Sequence, residues 1–128
     1  MGRAMKKRIL VVDDSEIVLE MAKEALSDKG YEVFTALSAA AADRYIYGES
    51  RPDIIILDVM MPLLDGDQKA KMLKSDRSTR DIRILLLSSK PEEELARLAN
   101  VSGSDGFIRK PFTFKEMIEQ IELTLGLT

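Results

Sequence analysis

Three stretches of this chain, Ile9-Leu10-Val11-Val12, Ile54-Ile55-Ile56-Leu57 and Ile84-Leu85-Leu86-Leu87, are unbroken runs of aliphatic residues. A strand with one wet face would alternate apolar and polar side chains. A continuous run predicts a strand covered on both faces, the setting of a parallel sheet flanked by helices. Between the runs the period changes. From Glu16 onward, Val18, Met21, Ala22, Ala25 and Leu26 recur at helical spacing, and Gly30 predicts the stop. Tyr31 to Ala36 reads as a second strand, and Ser38 as the cap of an alanine-rich helix closing near Gly48. Pro62 and Gly66 predict a turn, followed by a short helix to about Ser75. That helix is the weakest element, because Asp67-Gln68-Lys69-Ala70-Lys71 carries little apolar surface. Pro91 is expected at the start of a fourth helix, where a missing N–H costs nothing. Gly106-Phe107-Ile108 predicts a short fifth strand. Thr113-Phe114-Lys115-Glu116 has capping-box spacing, and Phe114, Met117, Ile118, Ile121 and Leu125 give the last helix its apolar stripe.

Five strand–helix units in succession, joined by right-handed crossovers, predict an α/β fold. It is a doubly wound, five-stranded parallel sheet with helices on both faces. A chain of 128 residues fits one domain, and such a domain buries roughly two-thirds of its unfolded surface. Residues 8–126 are expected to form that domain, and residues 1–7, which hold most of a basic cluster from Arg3 to Arg8, a flexible N-terminal segment. Met5-Lys6-Lys7 reads as a natural start, which would leave residues 1–4 outside the native chain.

Composition narrows the chemistry. The chain contains no cysteine, so disulfides, thiolate catalysis and Cys-ligated zinc are excluded. It contains no histidine either, which removes serine–histidine triads, His-ligated metals and phosphohistidine on this chain. Carboxylates, hydroxyls and lysines remain. A net charge of -3 argues against direct nucleic-acid binding. No apolar stretch approaches the about 20 residues needed to span a bilayer. No membrane association is expected, and a cytoplasmic setting is.

Parallel sheets place their ligands beyond the carboxyl ends of the strands. The first strand ends in Asp13 and Asp14, the third in Asp58, the fourth in Ser88, and the fifth near Lys110. Three crowded carboxylates repel one another and raise the pKa of at least one. A divalent cation and a lysine relieve that repulsion, and magnesium suits such a site because it accepts a few carboxylates and keeps several waters. One carboxylate could then attack phosphorus, with Lys110 and Ser88 holding oxygens. Each residue also has a plain structural reading. Asp14 or Ser15 could cap the first helix, Ser88 or Ser89 the fourth, and an isolated lysine is usually a surface residue. Joint placement at successive strand ends favours the chemical reading.

At these residues the chain resembles the CheY-like response-regulator receiver family of two-component signal transduction. The matching stretches are Ile9-Leu10-Val11-Val12-Asp13-Asp14-Ser15, Asp58-Val59-Met60-Met61-Pro62 with Asp65-Gly66, Leu86-Leu87-Ser88-Ser89, and Phe107-Ile108-Arg109-Lys110-Pro111-Phe112. The resemblance implies a flavodoxin-like sheet of strand order 2-1-3-4-5 and a phosphorylation site at Asp58. It implies magnesium held by Asp14 and Asp58, by Asp13 mostly through water, and by the Met60 backbone carbonyl. Ser88 would be the switch hydroxyl, Phe107 the switch aromatic and Lys110-Pro111 a cis bond. The phosphodonor would be a histidine kinase or a histidine phosphotransfer protein. The readout would be a protein target on the face of the fourth helix, fifth strand and fifth helix, with a homodimer also open. Such a chain promotes its own phosphorylation and dephosphorylation and is not a turnover enzyme. Ser88 replaces the commoner Thr and keeps the hydroxyl, whereas Phe107 in place of Tyr loses one.

Three rivals deserve a test. A flavin binder of the same topology would need a hydroxyl- and glycine-rich phosphate loop where Asp13-Asp14-Ser15-Glu16 stands. A phosphatase or ATPase with an aspartyl nucleophile would need a second Asp or a Lys-Thr segment where Val59-Met60-Met61 stands. The third is a receiver excised from a longer regulator with a DNA-binding or enzymatic output domain.

Overall fold

The computed structural model describes residues 6–127. Five strands, β1 (Arg8–Val12), β2 (Glu32–Ala36), β3 (Ile54–Asp58), β4 (Arg83–Ser88) and β5 (Gly106–Arg109), form one sheet in the order β2-β1-β3-β4-β5. Every pairing is parallel. Five helices alternate with them: α1 (Glu16–Asp28), α2 (Ala39–Ile46), α3 (Gly66–Ser75), α4 (Glu92–Ser102) and α5 (Phe114–Leu125). Of the expected flexible segment, Lys6 and Lys7 are described and both are exposed. The rest of that segment, with the question of residues 1–4, lies outside the described residues.

The unbroken aliphatic runs now have their reason. Leu10, Val12, Ile55, Leu57, Ile84 and Leu86 face one core, closed by Ala42 and Ile46 of α2, Ala70 and Leu73 of α3, and Leu95 of α4. Their neighbours Ile9, Val11, Ile54, Ile56, Leu85 and Leu87 face the other, closed by Leu19, Ala22 and Leu26 of α1 and by Met117 and Ile121 of α5. Successive side chains point to opposite faces, so a doubly covered strand must be apolar at every position. Each such side chain contributes about 1.5–3 kcal/mol by leaving water.

The buried side of α1 differs from the expected stripe. Leu19, Ala22 and Leu26 are buried, while Met21 is exposed. Both stripes satisfy helical spacing, and the crossing of α1 over the sheet selects one. Ser15, Ser38 and Thr113 cap their helices through side-chain oxygens, and Thr113 and Glu116 complete the expected capping box. Pro91 lies one position earlier than expected, at the N-cap of α4, and offers that helix no side-chain cap.

The polar α3 packs by a means the apolar pattern does not reveal. Ala70 and Leu73 are buried, and Lys69, only 5 % exposed, directs its ammonium to Asp43 Oδ1 on α2. Asp43 is half in water whereas Lys69 is not. Removing the carboxylate therefore leaves a buried cation without a partner, the costly half of a broken pair. Asp43→Ala is expected to lower stability by about 3 kcal/mol and Lys69→Met by less than about 1 kcal/mol. Urea denaturation of both variants reads the asymmetry, and equal losses would contradict it.

Candidate functional site

The carboxyl edge of the sheet gathers the predicted groups in a fixed way. The parallel register sets Val12 beside Leu57, so the ends of β1 and β3 lie side by side. Asp13 and Asp14 leave β1 there, and Asp58 is the last residue of β3. One oxygen from each of Asp13, Asp14 and Asp58 lies within 4.8 Å of the others. Lys110, just beyond β5, reaches across with Nζ 3.2 Å from Asp13 Oδ2 and 3.5 Å from Asp58 Oδ1. The Lys110-Pro111 bond is cis. Four of the predicted residues therefore meet.

The two adjacent aspartates are not equivalent. Asp13 is buried, donates nothing, and accepts a hydrogen bond from the Ser15 backbone N–H at 2.9 Å as well as the ammonium of Lys110. Asp14 is exposed at the mouth. Helix capping falls to Ser15, whose Oγ accepts from the Val18 N–H at 3.3 Å. Both aspartates are thus free of the capping duty that a plain structural reading would give them.

Asp58 is 3 % exposed. Burial, and after it the Asp13 charge, pushes its carboxyl up to about 6 from the ordinary 3.8, with Asp14 adding to the rise. Lys110 and the Met60 N–H oppose the shift. The Met60 N–H donates to Oδ1 at 3.4 Å, so Oδ1 is held from two sides. Among the described residues no hydrogen bond reaches Oδ2, and no buried side-chain polar atom lacks a partner. Oδ2 is therefore the oxygen left without a protein donor, and it is not fully sealed from solvent.

Ser88 ends β4, is buried, and accepts the Lys90 N–H at 3.1 Å on its Oγ. It makes no hydrogen bond to Asp58 among the described residues, and it does not cap α4. Arg109 Nε donates to the Lys90 carbonyl at 3.0 Å, so the loop after β4 is tied to β5. Phe107 on β5 is half-buried and packs against the core beneath α4. Met60 stands at the mouth, 59 % exposed.

Two features escaped the sequence reading. Gly66, read as a turn residue and part of a matching stretch but given no role at the site, is buried at the start of α3 and donates to the Val59 carbonyl at 3.0 Å. A Cβ on Gly66 would lie 2.1 Å from the Asp58 carbonyl oxygen, so the helix rests directly on the backbone of the site. The loop itself turns at Leu63, which has φ 71 and a fully exposed side chain. A left-handed leucine carries no sequence signal, because the conformation costs it about 1–2 kcal/mol.

The arrangement suits a hard cation: three carboxylates offer oxygen donors close together. Nothing at this edge resembles a cradle for a flavin phosphate, since buried Asp13 and Asp58 would repel it. No helix among the described residues is long and apolar enough to cross a membrane.

Comparison with known proteins gives the family and the fold. The family described as response regulator receiver domain matches residues 9–122. The phosphate regulon transcriptional regulatory protein PhoB of Pseudomonas aeruginosa is 37 % identical over 122 residues, covering 95 % of this chain and 53 % of that protein. The alkaline phosphatase synthesis transcriptional regulatory protein PhoP of Bacillus subtilis is 36 % identical, covering 94 % of this chain and 49 % of its own length. The chain therefore spans about half the length of these relatives. Among solved structures, the chemotaxis protein CheY4 of Vibrio cholerae superposes with a TM-score of 0.86 at 28 % identity, over 94 % of this chain and 99 % of that one.

Proposed function

The chain belongs to the response regulator receiver family of two-component signalling, and from that premise we propose that Asp58 is its phosphoacceptor. One observation carries the assignment: Oδ1 of Asp58 is held by Lys110 and by the Met60 N–H, while no protein donor reaches Oδ2, which is left as the available nucleophile. The donor is a phosphohistidine on a histidine kinase or a histidine phosphotransfer protein. Oδ2 attacks phosphorus, the P–O bond forms, the P–N bond breaks, and the departing imidazole nitrogen takes a proton from water. Asp13, Asp14 and Asp58, with the Met60 carbonyl, are the residues that would hold magnesium. Bound there, the ion offsets the carboxylate charge that an incoming phosphate anion would otherwise meet. Lys110 stays beside Oδ1 and supplies the fixed positive charge of the site.

Phosphorylation adds negative charge and acceptor oxygens at the end of β3. Ser88 is the hydroxyl placed to answer, by releasing the Lys90 N–H and donating to a phosphoryl oxygen. Phe107, on the next strand, is the ring that turns inward, and the readout is the surface of α4, β5 and α5. Moving such a switch from mostly off to mostly on takes about 5 kcal/mol of differential stabilisation. Two or three charge-assisted hydrogen bonds supply that order of energy. The protein works in the cytoplasm as a signalling switch, with no turnover of external substrates. A second reading, a receiver coupled to an output domain, is favoured by the transcriptional regulators among its relatives, and the encoded open reading frame tells the two apart.

With magnesium and a small acyl phosphate, the protein is expected to gain one phosphoryl group by mass spectrometry. Asp58→Asn and chelation should each abolish the gain. Labelling that persists in Asp58→Asn would remove Asp58 from its role.

A further inference from the structure

We propose that the outer edge of β2 is a docking site for an extended segment of a partner protein, one that adds to the sheet as a further strand and alternates basic with apolar side chains. Strand β2 ends the sheet and pairs with β1 alone. In a parallel ladder, every second residue turns both its N–H and its C=O to the same neighbour. The Glu32 N–H donates to the Lys7 carbonyl, and the Ala36 carbonyl accepts the Asp13 N–H. Glu32, Phe34 and Ala36 are therefore the residues bonded to the β1 side. Val33 and Thr35 turn their backbone groups outward, where no other strand among the described residues meets them.

Nothing in the strand guards that edge. Edge strands are commonly blunted by proline, lysine or a bulge. Val33 to Ala36 contains neither residue, and all five residues of β2 keep register with β1. Glu32 is the single charged residue of the strand, and Arg8 Nε holds it at 3.0 Å.

The cleft beside the edge decides what fits. It encloses about 410 Å³ and is lined by Glu16 and Glu20 of α1, by Thr35 and Leu37, and by Arg44 and Tyr45 of α2. Helices α1 and α2 cover opposite faces of the sheet, so this cleft wraps round the sheet edge itself. A strand added there sends alternate side chains to the two faces. On the α1 face they meet Glu16 and Glu20, both exposed and neither in an ion pair among the described residues. Basic side chains are the complement of that pair. On the α2 face they meet the Tyr45 ring, stacked on Phe34 with centroids 5.1 Å apart. The Arg44 guanidinium, 5.2 Å from the same ring, disfavours a cation there and leaves an apolar side chain as the fit. Backbone pairing then supplies affinity and the two faces supply specificity. Strands β2 and β5 are opposite edges of the sheet, so a segment bound here leaves α4, β5 and α5 uncovered.

The probe is a short capped peptide alternating lysine and valine, titrated into the whole isotope-labelled protein. Amide NMR shifts should gather at Val33, Thr35 and Leu37. Hydrogen exchange of the Val33 and Thr35 N–H groups should slow about tenfold near saturation. Two further peptides carry N-methyl groups, one on every lysine and the other on every valine. Strand addition uses the N–H groups of one set alone, so one of the two should lose binding and the other keep it. Thr35→Pro removes an outward N–H, which an edge strand tolerates, and should weaken the unmethylated peptide about tenfold. Glu20→Lys should weaken it about fivefold. Protection of the β1 amides reports folding of both variants. Should Thr35→Pro lose it, Glu20→Lys and the methylated peptides decide the matter. Unchanged exchange at Val33 and Thr35, or two methylated peptides that bind alike, would overturn the proposal. Equal affinity for a glutamate–valine peptide would do the same. So would dimers of the peptide-free protein in sedimentation that Thr35→Pro dissolves, since β2 of a second copy would then be the occupant.

Discussion

Replacing Asp58 with Asn should stabilise the metal-free protein by about 1–3 kcal/mol at pH 7 to 8, although it removes the proposed phosphoacceptor. The folded protein holds this carboxyl at about 6 against an ordinary 3.8, chiefly by burial and by the neighbouring Asp13 charge. Each pH unit of such a gap is worth about 1.4 kcal/mol. The folded state binds the proton more tightly than the unfolded state, so stability falls as pH rises from 3.8 through about 6. Well below pH 3.8 the group is protonated in both states and costs nothing; well above 6 the whole cost of the buried anion is present. Asparagine has no such proton to lose. The wild-type and variant unfolding curves should therefore coincide near pH 3.5 and separate through the interval, with the variant ahead.

A divalent cation should narrow the gap. An ion that binds only the folded protein adds about 2.7 kcal/mol at a hundred times its dissociation constant, and Asp58→Asn would lose one of the proposed anionic ligands. Magnesium at millimolar concentration should therefore raise the wild-type midpoint at pH 7.5 more than the variant's. A variant no more stable than wild type at neutral pH, in the presence of chelator, would refute the strained-carboxylate account. Buried charge left in place for function is a familiar origin of local instability.

Gly66→Ala is expected to cost about 3 kcal/mol and to slow phosphorylation of Asp58 about a hundredfold. The added methyl would sit 2.1 Å from the Asp58 carbonyl oxygen and 2.7 Å from its carbon. Both are backbone atoms of β3 and cannot rotate aside. Either α3 lifts from the sheet or the end of β3 yields, and each movement displaces the proposed phosphoacceptor. Gly126→Ala is the control. Gly126 has φ 73 at the end of α5 with nothing within 4 Å of a Cβ, so its cost is torsional, about 1 kcal/mol. It should leave the phosphorylation rate unchanged. Denaturant midpoints and a mass-spectrometric time course measure both effects. A Gly66→Ala protein that folds and labels at the wild-type rate would show that the contact is readily relieved.

These two residues also mark how far the sequence reaches. Asp58 was legible because a strand of four aliphatic residues ends in a carboxylate, and a parallel sheet sends its strand ends to one edge. Asp13 and Asp14 were legible as a pair for the same reason, but not as one buried and one exposed residue, since adjacent positions differ only in where the packed chain points them. Gly66 was visible as a turn former in a matching stretch, with no role at the site. Its actual requirement is room against a backbone atom eight residues earlier, a distance that no local pattern encodes. Lys69 was read only as part of a stretch with little apolar surface, and became a buried ion-pair partner only because α2 brings Asp43 beside it.

Hydrophobic period and strand-end chemistry, both written in short stretches of chain, determined the element order, the covered sheet and the identities of the carboxylates, hydroxyl and lysine at its edge. Tertiary packing alone decided which oxygen of Asp58 is held and which is free, how strongly burial opposes its charge, and which face of α1 meets the core. The first set depends on residue type at fixed spacing. The second depends on distances between segments far apart in the chain, and those exist only once the whole sheet has closed.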